Sequence, residues 1–212
     1  MLRSTYQKWS YLHQHNTWIA WNLFLAAIPL LLSFYLFRRS STARSAQWWI
    51  GLAIYAAFLP NAPYLLTDVV HLIEASWSIP SVWIITLFYI PIHVGAILLG
   101  FEAYVVSLIN QSFYLRRSGL QRFIIPLEWL THSLCAVGIY LGRFRRLNSW
   151  DIITAPQNVL LSTLNDLTDK RPLIVIALTA FILGILYWIM KQVTIGLLLR
   201  FRELRAQEHS VD

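Results

Sequence analysis

The stretch WIAWNLFLAAIPLLLSFYLF, from Trp18 to Phe37, carries no charged side chain, and Arg38 and Arg39 follow it directly. About 20 consecutive apolar residues are enough for a helix to cross the hydrocarbon core of a bilayer, which is about 30 Å thick. The stretch therefore predicts a membrane-spanning helix that ends at the arginine pair.

Similar apolar runs recur along the rest of the chain, at about 48–66, 80–109, 123–141 and 172–190. Together with the first stretch they predict five transmembrane helices. Six are possible if the long third run is bent or split, since Pro91 inside it removes a backbone hydrogen bond. The expected fold is an all-α integral membrane helical bundle, a single transmembrane domain over residues 1–212. Short interfacial segments are expected at 67–78 and 149–168.

The composition agrees with a membrane protein. Hydrophobic residues make up 57% of the chain and charged residues 13%, whereas a soluble domain carries about 25% charged residues. The net charge of +7 sits in short clusters between the apolar runs, so membrane lipid is the expected partner and nucleic acid is not. Cys135 is the single cysteine, which excludes an intrachain disulfide. Cofactors and protein partners stay open.

The loops also predict an orientation. Loops 38–47 and 112–122 contain arginine and no acidic residue, whereas loop 67–79 contains Asp68 and Glu74 and no basic residue. Because cytoplasmic loops are enriched in Lys and Arg, we expect the C-terminus in the cytoplasm and the N-terminus outside the inner membrane.

The segment FLPNAPYLLTD, from Phe58 to Asp68, interrupts the second run. Two prolines three residues apart disfavour a continuous helix, so the Asn61 amide is expected to satisfy backbone groups at a bend. Thr67 or Asp68 is expected to cap a new helix. Asp68, His71 and Glu74 then share one face, which is typical of an acid/base pair, of part of a metal site, or of a solvated interfacial face. No metal site is predicted, because three ligands on one short helix do not converge easily on one ion.

The segment LGRFRRLNSWD, from Leu141 to Asp151, follows the fourth run. Gly142 is expected to end that helix, and Asn148 or Ser149 to cap a short helix that has Asp151 in its first turn. The three arginines are typical of a lipid-phosphate anchor, of a pair between Arg143 or Arg145 and Asp68, or of a site for an anionic head group. A stripe of Val159, Leu160, Leu164 and Leu167, with Asp166 on the opposite polar side, then predicts an interfacial helix.

Five spans bring both segments to the same, outer face. The predicted site there uses Asp68 and His71 as catalytic residues and a polar set for substrate binding, namely Asn61, Tyr64, Arg143, Arg146, Asn148 and Asp151. The leading hypothesis is that this site binds or modifies an anionic lipid or a lipid-linked substrate. A small proton- or ion-coupled transporter and a structural or partner-binding subunit are the alternatives.

Four ionisable residues lie within the third and fourth spans: His93, Glu102, Glu128 and His132. Burying such groups in hydrocarbon is costly, so each should face the bundle interior or water. Paired histidines and paired glutamates can join the two helices, line a proton or ion path, or, for the histidines, ligate haem.

The two loop motifs, Phe58-x-Pro60-Asn61-Ala62-Pro63-Tyr64-x-x-Thr67-Asp68 and Gly142-Arg143-Phe144-x-Arg146-x-Asn148-Ser149-Trp150-Asp151, resemble those of a domain-of-unknown-function family. Its members are small bacterial multi-pass membrane proteins, and the resemblance extends over nearly the whole chain. It implies a bacterial integral membrane protein and supplies no activity, substrate or cofactor.

Overall fold

The computed structural model describes residues 2–39, 44–78, 81–147 and 151–208. Side chains are described in these ranges except for those of 2–17, 74–76, 78, 152–153, 162, 167 and 208. All regular structure in the described ranges is helical. The side chains of Glu74 and Leu167 and the whole of Asn148, Ser149 and Trp150 lie outside the described part.

The described chain folds into α-helices joined by short turns. In chain order they are α1 (Leu2–Phe37), α2 (Ala46–Phe58), α3 (Asn61–Tyr64), α4 (Val69–Ser78), α5 (Val82–Ile84), α6 (Ile90–Arg117), α7 (Ile124–Phe144), α8 (Asp151–Thr154), α9 (Pro156–Thr168) and α10 (Lys170–Glu208). Two 3₁₀ turns, Leu65–Asp68 and Gln121–Phe123, and one π-turn, Ile85–Tyr89, connect neighbouring helices.

Five helical segments are long and apolar enough to cross a membrane: Trp18–Phe37, Ala46–Ile73, Val82–Arg117, Gln121–Phe144 and Lys170–Gln207. Large apolar side chains such as Leu31, Leu99 and Ile174 are exposed on their outer surfaces, as expected where helices face lipid. The predicted all-α bundle with five spans is confirmed.

The third apolar run is one continuous helical segment. Its π-turn, Ile85–Tyr89, ends two residues before Pro91. Proline has no N–H and its ring crowds the carbonyl four residues earlier, and a widened turn accommodates both defects. The run is therefore not split into two spans.

The bundle core lies where α1 packs against α6 and α2, and where α7 packs against α10. Tyr104 and Leu108 of α6 and Leu183 of α10 are fully buried there. Near the arginine-rich end, Asn110 accepts a hydrogen bond from Arg38 Nε (2.6 Å) and donates one to Ser33 Oγ (2.9 Å). These bonds hold α1 to α6.

Candidate functional site

The second span is broken where the two prolines occur. Helix α2 ends at Phe58, and Nδ2 of Asn61 donates a hydrogen bond of 3.0 Å to the Phe58 carbonyl. Unpaired backbone groups at membrane depth are tolerated only when protein or water satisfies them. The predicted role of the Asn61 amide is thus confirmed.

The chain remains helical beyond the break, through α3 and the 3₁₀ turn into α4. Thr67 Oγ1 donates to the Tyr64 carbonyl at 2.7 Å, and Asp68 is bonded to a different helix, as described below. The expected capping of a new helix by Thr67 or Asp68 is therefore wrong. A helix that continues from the preceding turn has no free N-terminal amides to cap.

Glycines of α6 and α7 allow the bend to pack closely against both helices. A Cβ atom at Gly138 would lie 2.7 Å from Cβ of Pro60, and one at Gly142 would lie 3.1 Å from the Tyr64 ring. On α6, a Cβ at Gly100 would lie 3.1 Å from the Ala62 carbonyl oxygen. These glycines hold the bend, which spans residues 60–65, between the two helices.

Gly142 consequently has a different role from the one predicted. Helix α7 continues through it and ends at Phe144, and the residue that turns the chain is Arg146, whose φ is 56°. The Leu147 N–H then bonds to the Leu141 carbonyl at 3.2 Å. Gly142 lies inside the helix, where the absence of a side chain allows the Tyr64 ring to pack closely against it.

The three arginines of this turn differ in their partners. Arg145 makes a two-pronged ion pair with Asp166 of α9, and this interaction raises the pKa of Arg145. Nη1 of Arg143 lies 3.4 Å from Nε2 of His71 on α4. Arg146 has no hydrogen-bond or ion-pair partner within the described ranges.

Two expectations are corrected here. Asp166, predicted on the solvated side of α9, is only 2% exposed because it faces Arg145. Arg145 therefore pairs with Asp166 and not with Asp68. A buried carboxylate is stabilised by a charged partner that also donates hydrogen bonds to it, and Arg145 does both for Asp166. The two loop segments nevertheless approach each other, since a Cβ atom at Gly142 would lie 3.1 Å from the Tyr64 ring.

Asp68 is bonded across the bundle to the first helix. Its side chain is 2% exposed, and Oδ2 accepts a hydrogen bond of 3.5 Å from Nδ2 of Asn22. The Arg143 guanidinium acts on it electrostatically, while Oδ1 has no hydrogen-bond partner among the described residues. Next to it, the His71 ring meets the edge of Trp18, with 4.5 Å between the ring centroids.

A cavity of about 610 Å³ opens at this end of the bundle, between α1, α2, the bend, α7 and α9. Its walls are mainly apolar, with Leu25, Ala57, Leu134 and Val137 among the lining residues. The polar lining comes from Asn22, Asn61, Tyr64 and Arg146, together with the indole rings of Trp18 and Trp21. The arrangement is a largely apolar pocket with a few polar groups, which is typical of small-molecule sites.

The predicted site residues divide into two sets. Asn61, Tyr64 and Arg146 line the cavity, whereas Asp68, His71 and Arg143 lie behind its wall, in contact with Asn22 or Trp18 or with each other. Asp151 begins α8 and is not among the lining residues.

Sequence reasoning missed Asn22, Trp18 and Trp21. Asn22 carried a usable signal, because an amide inside an otherwise apolar span requires a polar partner. In the part of the chain that the structure describes, no group of three His, Cys, Asp or Glu side chains is arranged to hold a metal ion.

Residues 21–185 match a family described as "Protein of unknown function (DUF1361)", and this match covers more than half of the 212-residue chain. The chain belongs to the DUF1361 family. The DUF1361 match includes every cavity-lining residue except Trp18. No curated protein and no solved structure matches the chain.

The intramembrane histidines of this DUF1361 chain have different partners. Nδ1 of His132 lies 2.6 Å from the Tyr104 hydroxyl of α6. Nδ1 of His93 lies 2.9 Å from the Tyr89 carbonyl, one turn earlier in its own segment. The two histidines are therefore not paired with each other: the Nδ1 atom of His132 faces Tyr104, and that of His93 faces the Tyr89 carbonyl.

The two glutamates of the DUF1361 bundle both face α10. Oε1 of Glu128 accepts hydrogen bonds from Tyr187 (2.6 Å), Lys191 (2.7 Å) and Ser112 of α6 (2.9 Å). Glu102 accepts one of 2.8 Å from Thr194. The expected pairing of the two glutamates is wrong. Each carboxylate accepts hydrogen bonds from α10, and an ionised carboxylate could not donate them. These bonds join α6, α7 and α10.

Proposed function

We propose that this membrane protein binds an anionic amphiphile, a lipid or a lipid-linked molecule, in the cavity between α1, α2, α7 and α9. The apolar part of the ligand lies against Leu25, Leu134 and Val137. Its anionic group lies at Arg146. The arginine-free loop 67–79 supports an outer location for this end of the bundle, with the N-terminus outside the inner membrane and the C-terminus in the cytoplasm.

The observation that carries the proposal is the backbone conformation of Arg146 together with the position of its guanidinium at the cavity. Its backbone has a φ of 56°, a region that costs a non-glycine residue about 1–2 kcal/mol. Glycine is the residue usually found at such a turn after a helix. The guanidinium lines the cavity without a protein partner in the described part of the chain. A strained arginine with a free guanidinium supports a role in holding a carboxylate or a phosphate.

Binding is better supported than catalysis. Asp68 and His71 lie behind the cavity wall, so neither contacts a ligand that fills the cavity. Their predicted role as bases stays a prediction. The Glu128 carboxylate, in turn, has three hydrogen-bond donors, which favours interhelical packing over an open ion path.

The test measures the affinity of the detergent-solubilised protein for phosphatidylglycerol and phosphatidylcholine by native mass spectrometry. Wild type should prefer phosphatidylglycerol. Arg146→Gly keeps the turn and removes the guanidinium, so affinity for phosphatidylglycerol should fall about 10- to 100-fold, the value of a charge-assisted hydrogen bond. Arg122→Gln, at the opposite end of the bundle, removes the same charge and should leave the affinity unchanged.

Two outcomes contradict the proposal. If Arg146→Gly binds phosphatidylglycerol within about twofold of wild type, the anionic group does not lie at Arg146. A change that small is less than the contribution of one hydrogen bond to a charged group. If Arg122→Gln weakens binding equally, the protein responds to its total charge and not to a site.

A further inference from the structure

Asn22 presents an unused hydrogen-bond acceptor to the cavity. Its Nδ2 is directed at Asp68, and the residue, which is 9% exposed, lines the cavity. Oδ1 is not among the buried atoms that lack a partner, and no group in the described chain donates to it. The oxygen is therefore open to a ligand.

Asp68 determines which way this amide points. An ionised carboxylate only accepts hydrogen bonds, so with Asp68 ionised the NH₂ group of Asn22 faces it and the carbonyl oxygen turns away. Asp68 itself is buried and held by the 3₁₀ turn that follows the bend. Asp68 is therefore a positioning residue: it does not line the cavity and affects a ligand there through its hydrogen bond to Asn22.

Tyr64 adds a second unused polar group. Its ring packs against Gly142, its hydroxyl has no partner in the described residues, and the side chain lines the same cavity as Asn22. A phenol both donates and accepts hydrogen bonds. The cavity thus combines a cation at Arg146 with an acceptor at Asn22 and a hydroxyl at Tyr64.

We infer that the ligand carries hydroxyl groups beside its anionic group, as in a glycerol phosphate or sugar phosphate head group. A ligand hydroxyl donates to Oδ1 of Asn22 while its phosphate lies at Arg146. This inference rests on the proposed function and adds the chemical class of the head group. A site built to bond a hydroxyl discriminates strongly against an analogue that lacks it, because its polar group is then left unpaired.

The test compares phosphatidylglycerol with phosphatidylmethanol, which has the same charge and acyl chains but no head-group hydroxyl. Wild type should bind phosphatidylglycerol about tenfold more tightly, the ratio expected for one hydrogen bond. Asn22→Leu and Asp68→Asn should both reduce this ratio towards one, the first by removing the acceptor and the second by releasing its orientation. Asn158→Leu on α9, which does not line the cavity, should keep it.

A second binding measurement, with a water-soluble phosphate ester, identifies the source of the head group. If sn-glycerol 1-phosphate binds as tightly as phosphatidylglycerol, the ligand is a free phosphate ester. If it binds more weakly, the ligand is a lipid. The ligand needs a hydroxyl group in both cases. Equal affinity of wild type for phosphatidylglycerol and phosphatidylmethanol overturns the inference. If Arg146→Gly still weakens both lipids, only the head-group assignment fails. If it weakens neither, the proposed function fails as well.

Discussion

At the residue scale, three neighbouring arginines show how different environments produce different roles. Arg145 is committed to Asp166, and Arg143 contacts His71, so both hold elements together. Arg146 adopts a φ of 56° and lines the cavity, and none of the described residues pairs with its guanidinium. Their order in the sequence, Arg143-Phe144-Arg145-Arg146, does not distinguish them.

The backbone of Arg146 gives a prediction about stability. Arg146→Gly should raise the free energy of unfolding relative to Arg146→Ala by about 1 kcal/mol, because only alanine keeps the Cβ that this φ disfavours. Both variants lack the guanidinium, so their difference reports the backbone alone. Unfolding by SDS titration in mixed micelles measures it. Equal stability of the two variants would show that the turn is not strained.

At the element scale, the bend at residues 60–65 depends on glycines of the helices beside it. Pro60 lies against Gly138, Tyr64 against Gly142, and Ala62 and Leu65 against Gly100. The close approach of the bend to α6 and α7 keeps Asn61 and Tyr64 at the cavity. Loss of these contacts would therefore change the site as well as the fold.

Gly138→Ala should lower the free energy of unfolding by about 1–3 kcal/mol, because overpacking forces neighbouring atoms to move. The new Cβ would lie 2.7 Å and 2.8 Å from atoms of the rigid Pro60 ring. Gly95→Ala is the matched control on α6, since nothing lies within 4 Å of a Cβ there. That variant should be neutral or up to about 1 kcal/mol more stable, because alanine is the better helix former. SDS titration of both variants tests this, and equal effects would contradict the close packing of the bend.

At the scale of the whole molecule, five spans give the chain an odd number of crossings. The turn between α6 and α7 and the segment that contains α9 then lie at opposite ends of α7. Polar contacts between α7 and α10, such as that of Glu128 with Lys191, fix the last span in the bundle.

Cysteine labelling tests this arrangement. In a Cys135→Ala background, which removes the only native thiol, Asn158→Cys should react with a membrane-impermeant maleimide in intact cells. Gln121→Cys should react only after the membrane is permeabilised, because the positive-inside rule assigns its arginine-rich loop to the cytoplasm. Both positions are exposed in the folded chain. Labelling of both from the same side would contradict the five crossings, and the reverse pattern would invert the proposed orientation.

The class of fold, the five spans and the bend at Asn61 could be predicted from the amino-acid sequence alone. These features depend on local physics: an apolar run of about 20 residues must satisfy its backbone hydrogen bonds within one helix, and closely spaced prolines interrupt it. The local pattern also marked Asn61, Tyr64 and Arg146 as candidate residues, although it gave them no partners.

Which polar groups meet depends on how the helices pack against one another. Asn22 and Asp68 are 46 positions apart, Arg145 and Asp166 are 21 apart, and Glu128 and Lys191 are 63 apart. Helical periodicity relates residues three or four positions apart and carries no information about which helices become neighbours. The cavity forms where segments that are distant in sequence converge, so its polar lining could not be predicted from any one of them.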